Sequence, residues 1–188
     1  MMKNEIEKAL EVIRNGGVIL YPTDTVWGLG CDATNEEAVE KIKKIKGRSD
    51  NQSFIILVDN DHRIAGYVQD VPELAYDLIE YTENPLTIIF SGAKNLAKNV
   101  INKDGSVGIR VVKHPFCETL IQRFRKAITS TSANISGQPT PATFQEISPE
   151  ILEAVDYVVN VDQNITTPKK SSTIMKLSPN GEFHFIRK

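Results

Sequence analysis

The 188-residue sequence contains few of the residues that build disulfides and metal centres. Its only two cysteines, Cys31 and Cys117, do not have the spacing of a zinc site, and its three histidines stand far apart along the chain. We therefore expect neither a disulfide framework nor a structural metal ion in this protein.

Long apolar runs and a strong excess of one charge are also missing. No segment approaches the roughly 20 apolar residues of a membrane span, and the amphipathic start, MMKNEIEKALEVI, does not resemble a secretion signal. The 22 basic and 24 acidic residues leave a net charge of −2, which argues against a protein that mainly coats nucleic-acid phosphates. We expect one domain, residues 1–188, that is cytoplasmic and has no membrane contact.

Helix and strand patterns alternate along the chain. Helices are predicted at 6–13, 34–45, 72–81 and 115–126, and strands at 18–21, 54–58, 86–90, 107–112 and 156–161. The end, STIMKLSPNGEFHFIRK, has the pattern of a β-hairpin. Two capping boxes are predicted, Thr34 with Glu37 and Thr143 with Glu146. Together these elements predict an α/β fold with one twisted, mixed sheet flanked by helices.

The stretch YPTDTVWGLGCDA (21–33) follows the first strand and contains a formal dinucleotide fingerprint, G-x-G-x-x-A. That fingerprint needs its first glycine at the strand-to-helix turn, whereas here six residues separate the strand from Gly28. Two other interpretations remain open. The glycines form a tight turn before the next helix, or Thr23 and Thr25 direct hydroxyls from a strand end into a cleft.

Two basic positions also have two interpretations each. Lys46 and Arg48 flank Gly47, as basic residues commonly do at a helix C-terminus. Alternatively, the turn at Gly47 brings both cations to one anion, because a guanidinium fork suits phosphate or carboxylate. Arg110 lies inside the apolar strand SVGIR, where it is either a residue of an exposed face or a buried anion ligand.

The stretch TSTSANISG (129–137) is rich in hydroxyl groups and contains no His, Cys or carboxylate. It is too polar for a core strand, so we expect a hydrogen-bonded turn, a helix N-cap or an anion cradle. The sequence has no G-x-S-x-G elbow, which disfavours a serine hydrolase, and no Walker A motif, so any nucleotide site is not of the P-loop type.

Taken together and in this order, YPTDTVWGLG, KGR, VGIR and STSANISG resemble the YrdC-like family of threonylcarbamoyl-adenylate synthases, in its short single-domain form. The resemblance implies a large, concave, positively lined cavity on the sheet. It implies that L-threonine, bicarbonate or CO2, and ATP give threonylcarbamoyl-AMP and pyrophosphate, with Mg²⁺ carried by ATP and no metal ligand from the protein. A separate transferase complex would then place the threonylcarbamoyl group on an adenosine of tRNA.

The resemblance also assigns roles to residues. Lys46 and Arg48 would be catalytic and would reach the ATP phosphates. Threonine would be contacted by Thr25, Arg110, Ser130 and Ser172. The nucleotide would be contacted by Arg48, Gln52, Ser106, Ser132, Asn134, Thr140 and Arg187.

Two alternative functions remain open at this point. An RNA-binding module of the same fold, able to contact double-stranded RNA, would use the basic residues of the second predicted helix. Glutamates interleave with those residues, however, and no aromatic stacking platform is present. The other alternative is carbamoyl-adenylate chemistry as in hydrogenase maturation, whose YrdC-like relative is normally part of a much longer chain.

Overall fold

A mixed β-sheet organises the described part of the chain, which in this computed structural model comprises residues 2–47 and 54–188. Within these residues the strands are β1 (Ile19–Tyr21), β2 (Gly28–Gly30), β3 (Ile55–Val58), β4 (Leu86–Phe90), β5 (Val107–Val111), β6 (Ile128–Ser132), β7 (Tyr157–Val158), β8 (Thr173–Leu177) and β9 (Phe183–Arg187). The α-helices are α1 (Met2–Arg14), α2 (Glu36–Lys46), α3 (Glu73–Tyr81), α4 (Pro115–Phe124) and α5 (Pro149–Ala154). Short 3-10 helices span Asp61–Gly66 and Phe144–Glu146.

The strand order is β7-β1-β2-β6-β3-β5-β4-β8-β9. Three neighbouring pairs are parallel, namely β1 with β7, β3 with β5 and β4 with β8. The remaining neighbours are antiparallel. This mixed sheet, with helices packed on both faces, confirms the fold class predicted from the sequence.

One face of the sheet is covered by helices across most of its width. Leu29 of β2, Ile56 of β3, Ile109 of β5 and Met175 of β8 are buried in a single apolar cluster. Residues of α2, α3 and α5 complete that cluster. The hydrophobic core on this side therefore extends from the centre of the sheet almost to its β9 edge.

The opposite face is covered only in part. Helices α1 and α4 pack on Tyr21, Leu57 and Ile128, which belong to β1, β3 and β6. Among the described residues, none from β4 or β8 joins this second cluster. We call the part under α1 and α4 the covered half. We call the remainder the open half, marked by Ser130, Arg110, Thr87 and Ile174.

A single row of paired residues crosses both halves. Ile128 of β6 pairs with Leu57 of β3, and Leu57 pairs with Arg110 of β5. Thr87 of β4 continues the row beyond Arg110 and pairs with Ile174 of β8. Paired residues of neighbouring strands point to the same face. Arg110 therefore emerges on the side that α1 and α4 cover, just beyond the reach of those helices.

The prediction that 129–137 is too polar for a core strand is wrong for residues 129–132, whereas residues 133–137 form the predicted turn. Residues 128–132 form β6, which lies between β2 and β3 inside the sheet. The Thr129 side chain is fully buried, and its hydroxyl accepts the backbone N–H of Cys31 at 3.0 Å. The Tyr21 hydroxyl donates to the Thr129 carbonyl at 3.0 Å. Hydroxyls are tolerated in a core when they are paired in this way.

The glycine-rich segment is also a strand, so neither the tight turn nor the dinucleotide fingerprint is correct. Gly28–Gly30 pairs antiparallel with β1 and β6. A Cβ on Gly30 would lie 2.6 Å from the Tyr21 ring and 2.6 Å from the Thr129 carbonyl oxygen. Glycine is therefore required here by the close approach of the Tyr21 ring to the backbone.

Several element boundaries differ from the predicted ones. The Thr34 capping box is wrong, because Asn35 caps α2 by accepting the Ala38 N–H at 3.1 Å. The second capping box is wrong as well, since Thr143 makes no side-chain cap bond. The predicted strand at 156–161 is reduced to β7, whereas β4 and the C-terminal hairpin of β8 and β9 are confirmed. In the ranges described above, no helix has the length and apolarity needed to cross a bilayer.

Candidate functional site

A cleft of about 180 Å³ lies on the open half of the sheet. It is lined by segments far apart in sequence: the turn after β1, strands β5 and β6, and the chain around β8 and β9. Of the residues proposed from the family resemblance, the structure brings seven to this cleft: Thr25, Arg110, Ser130, Ser132, Thr140, Ser172 and Arg187.

Arg110 is the buried cation of the cleft. Its side chain is 3% exposed, and its Nη2 lies 3.2 Å from Asp24 Oδ1 and 3.5 Å from the Thr23 hydroxyl. Its Nε is buried and has no hydrogen-bond partner among the described residues. Because Arg110 is buried, this geometry excludes the exposed-face interpretation of the mid-strand arginine; its role as an anion ligand stays a prediction.

The turn after β1 presents one of its two threonines to the cleft. The Thr23 hydroxyl donates to the Val26 carbonyl at 2.8 Å and accepts the Thr25 N–H at 2.9 Å, so it stabilises the turn itself. Thr25 is 3% exposed and lines the cleft. Thr25 therefore lies at the cleft, with its hydroxyl 3.0 Å from that of Thr23, whereas the Thr23 hydroxyl serves the backbone; a Thr25 hydroxyl directed at a ligand stays a prediction.

Strand β6 supplies the hydroxyls at the centre of the cleft. Successive side chains of a strand point to opposite faces. Thr129 therefore points to the face that α2, α3 and α5 cover, whereas Ser130 and Ser132 line the cleft on the other face. On the neighbouring strand, a Cβ added to Gly28 would lie 3.0 Å from Ser130 Oγ. The absence of a side chain at Gly28 therefore keeps the Ser130 hydroxyl accessible.

A second guanidinium reaches the cleft from the edge strand β9. Arg187 donates through Nε and Nη2 to the Ser172 carbonyl, at 3.1 and 2.8 Å. The Ser172 hydroxyl lies 2.8 Å from the Thr87 hydroxyl, and both side chains are buried. Partial burial lowers the pKa of Arg187, and the positive charge of Arg110 lowers it further. The positive charges of the two arginines therefore lie close to one another at the cleft.

Lys46 does not lie on a solvated helix end, which was one of its two predicted interpretations. Its side chain is buried, and Nζ donates to the Ser132 carbonyl and, at 2.6 Å, to the Asn134 carbonyl. Gly47 has the predicted left-handed conformation, with φ of 57°. Lys46 therefore fastens the end of α2 to the loop after β6. Two proposed residues, Arg48 and Gln52, lie outside the described residues.

Two further proposed residues do not line the cleft. The Ser106 hydroxyl donates to Asp104 Oδ1 at 2.6 Å and accepts from the Asn102 side chain at 3.0 Å. Hydrogen bonds from Ser106 and Lys176 lower the pKa of Asp104 to about 2. The Asn134 amide donates to two carbonyls of its own loop, both at 2.9 Å. These side chains shape the loops around the cleft in the structure described here.

Sequence reasoning missed several residues that line or support the cleft. Trp27, the only tryptophan of the chain, lines it and packs on Phe144 with ring centroids 4.9 Å apart. Asp24 pairs with Arg110 from behind the cleft wall. A tryptophan inside a polar, glycine-rich stretch was an available signal, whereas nothing local to the PTDT segment links Asp24 to a strand some 80 residues later.

In the segments that the structure describes, no group of three or more His, Cys, Asp or Glu side chains is placed to hold a metal ion. Both cysteines are free and buried, and burial raises the pKa of the Cys31 thiol to about 12.

Comparison with known proteins finds relatives of this arrangement. Residues 11–188 match the Sua5/YciO/YrdC family model, which is described as "Telomere recombination". The threonylcarbamoyl-AMP synthase of Pseudoalteromonas translucida is 35% identical over 183 residues, covering 96% of this chain and 96% of that protein.

Solved structures of related proteins have the same fold. E. coli YciO superposes with a TM-score of 0.85 at 26% identity, covering 100% of this chain and 90% of its own. P. abyssi Sua5 complexed with L-threonine gives a TM-score of 0.81 at 26% identity over 92% of this chain. The match covers 50% of that Sua5 chain, so this chain spans about half of its length.

Proposed function

We propose that this chain, which belongs to the Sua5/YciO/YrdC family, is a threonylcarbamoyl-AMP synthase. One observation carries the proposal: a buried arginine, Arg110, faces a cleft of hydroxyl groups and has a buried Nε with no partner among the described residues. Such a group suits the carboxylate of an amino acid, because a guanidinium binds a carboxylate through two parallel hydrogen bonds.

The threonine end of the proposed site is the part nearest Arg110. Arg110 would bind the α-carboxylate of L-threonine. The hydroxyls of Thr25, Ser130 and Ser172 lie around the same cleft and would fix the amino and side-chain groups. The solved relative in complex with L-threonine supports an amino-acid site in this family.

The nucleotide end of the proposed site would lie towards Ser132 and Arg187. Thr140 lines the same cleft, and Lys46 holds the adjoining loop that contains Asn134. Arg48, Gln52 and Ser106 are proposed to complete the nucleotide site by family resemblance. Mg²⁺ would be carried by the ATP phosphates and water, since it commonly binds substrate phosphates.

The proposed reaction needs orientation and charge compensation more than a nucleophile from the protein. The threonine amine attacks CO2 and loses a proton, which gives a carbamate. A carbamate oxygen then attacks the α-phosphorus of ATP, the bond to the β-phosphate oxygen breaks, and pyrophosphate leaves. Because both partners are anions, Arg110, Arg187 and the catalytic pair Lys46 and Arg48 would lower their repulsion, while the hydroxyls align them.

The product is a reactive anhydride and must be consumed by a second protein. We propose that a tRNA threonylcarbamoyl transferase complex takes threonylcarbamoyl-AMP from this enzyme and modifies an adenosine of tRNA. The proposed compartment is the cytoplasm, where that acceptor is found. A water-excluding cleft suits such a product, since carbamates and mixed anhydrides hydrolyse.

The test is pyrophosphate release from ATP and bicarbonate, with and without L-threonine. Release that depends on L-threonine, together with a product of the mass of threonylcarbamoyl-AMP, is the expected result. Pyrophosphate release that is independent of threonine, or none in its presence, would overturn the proposal. Affinity for RNA that falls steeply with salt, without ATP consumption, would instead favour an RNA-binding module.

A further inference from the structure

Asp24 lies directly behind the cleft wall that Arg110 forms. Its carboxylate is 8% exposed, and Oδ1 is 3.2 Å from Arg110 Nη2. Its other oxygen, Oδ2, accepts the backbone N–H of Lys113 at 3.2 Å, just beyond the end of β5. One carboxylate therefore contacts both the guanidinium and the strand end that carries it.

The backbone around Asp24 is held in place by other elements. Lys169, from the loop before β8, donates through Nζ to the Thr23 carbonyl at 2.8 Å. The Cys117 thiol of α4 donates to the Pro22 carbonyl at 3.1 Å. The Cys117 thiol lies near the Asp24 charge. Burial raises the pKa of this thiol, and the Asp24 carboxylate raises it further. The backbone just before Asp24 is therefore held by two other elements, while the carboxylate itself is held by the Lys113 N–H.

The contacts of Arg110 are unequal around its guanidinium. Nη2 faces Asp24 and the Thr23 hydroxyl, whereas Nε has no hydrogen-bond partner within residues 2–47 and 54–188. A guanidinium on a flexible side chain binds its ligand more weakly if binding must also order that side chain. Asp24 Oδ1 pairs with Nη2 by charge at 3.2 Å and makes no hydrogen bond among the described residues. Such an ion pair would lower that cost by restricting the guanidinium before the ligand arrives.

We propose that Asp24 is a positioning residue: it holds the Arg110 guanidinium in the orientation that binds the substrate carboxylate. Asp24 lines two neighbouring hollows of about 290 and 490 Å³, but it is not among the residues that line the cleft itself. The larger hollow shares Ser171 and Arg187 with the cleft. The role proposed for Asp24 is to act through Arg110, and a double-mutant cycle distinguishes this role from a direct contact with the substrate. This inference rests on the proposed function, since it assumes that the ligand of Arg110 is L-threonine.

The first experiment compares Asp24→Asn with the wild type. Loss of the charged partner is expected to raise the dissociation constant of L-threonine about tenfold, or ~1.4 kcal/mol, while the KM for ATP changes less than twofold. Asp24→Glu should recover part of the affinity, because it restores the charge. Asp70→Asn is the matched control, since Asp70 is exposed and remote in sequence from the cleft residues. Thermal unfolding verifies that each variant is folded.

A double-mutant cycle separates positioning from an independent effect. In an Arg110→Lys background, which keeps the charge but lacks the planar fork, Asp24→Asn should change the threonine KM less than twofold. The full tenfold loss in that background would overturn the inference, because Asp24 would then act without Arg110. If Asp24→Asn alone is unstable, the charge-retaining Asp24→Glu takes its place in the cycle.

Failure of the inference and failure of the proposed function give different results. If the wild type binds no L-threonine, the proposed function is wrong and the inference falls with it. If the wild type binds L-threonine and Asp24→Asn behaves like Asp70→Asn, only the inference is wrong. Isothermal titration of L-threonine into the four proteins, wild type, Asp24→Asn, Asp24→Glu and Asp70→Asn, distinguishes these cases.

Discussion

The covered and open halves of one sheet face differ in chemistry although the same strands build both. Under α1 and α4 the face presents Tyr21, Leu57 and Ile128, all fully buried. In the row of paired residues that contains Ile128 and Leu57, the next two strands present Arg110 and Thr87. Side-chain polarity changes at the position where the helices end. The open half therefore contains a buried cation that lacks a full set of hydrogen-bond partners among the described residues, and this difference is why we propose that a ligand binds there.

The largest effect is expected when the cation of the open half is removed. Arg110→Ala should raise the KM for L-threonine about 100-fold, since a charged, bidentate contact is lost. The KM for ATP should change far less. Steady-state pyrophosphate release, measured over a range of each substrate, checks this. Arg123→Ala on the outer surface of α4 is the control, and equal effects on both substrates would contradict the carboxylate role of Arg110.

The packing of the covered half should be most sensitive to a substitution at Gly30. Gly30→Ala should reduce the free energy of unfolding by about 2 kcal/mol, because the new Cβ would approach the Tyr21 ring and the Thr129 carbonyl. Denaturant unfolding measures the change. Gly66→Ala is the control, since nothing lies within 4 Å of a Cβ at that position. An unchanged unfolding midpoint for Gly30→Ala would contradict the tight packing of the Tyr21 ring on β2.

Lys46 holds the loop after β6, which adjoins the cleft. Lys46→Ala should lower threonine-dependent pyrophosphate release about tenfold while the fold is retained, because the Ser132 and Asn134 carbonyls lose their shared donor. The exposed Lys44, on the same helix, gives the control variant Lys44→Ala. Near-normal turnover of Lys46→Ala would contradict a role for this lysine in the reaction.

The smallest effect is expected at Asp104, outside the cleft. The pKa of its carboxyl is about 2 in the folded protein against an ordinary 3.8. Stability from this ionised group is therefore present above about pH 4 and is lost as the pH falls towards 2. Asp104→Asn should lower stability at pH 7 by less than about 1 kcal/mol, because the pair with Lys176 is largely exposed. Unfolding curves at pH 7 and pH 2.5 measure it, and a difference that grows on acidification would contradict this assignment.

Much of the fold could be predicted because its signals are local. Strand β4 and the hairpin of β8 and β9 follow from apolar runs and from a Pro-Asn-Gly turn. Strand β6 could not be predicted in this way, because Thr129 satisfies its polar groups through Cys31 and Tyr21, about 100 residues earlier in the chain. The strand at Gly28–Gly30 was missed for a related reason: glycine has no β-propensity of its own, and the need for it comes from the Tyr21 ring.

The candidate site was likewise only partly predictable from the sequence. The motif resemblance named seven residues that the fold does bring to one cleft, among them Ser172 and Arg187 from the far end of the chain. It could not show how those residues are supported. The carbonyl partners of Lys46 and the pairing of Asp24 with Arg110 depend on tertiary contacts between segments that no sequence periodicity connects.

The most direct test of the account compares hydrogen exchange of the two halves with and without L-threonine and ATP. The open half is predicted to respond, with slower exchange in the segments 22–27 and 166–172, which flank the cleft. Helices α1 and α4 of the covered half are predicted to exchange at unchanged rates. Slower exchange in α1 and α4, with none in the two flanking segments, would contradict the claim that the open half binds the substrates.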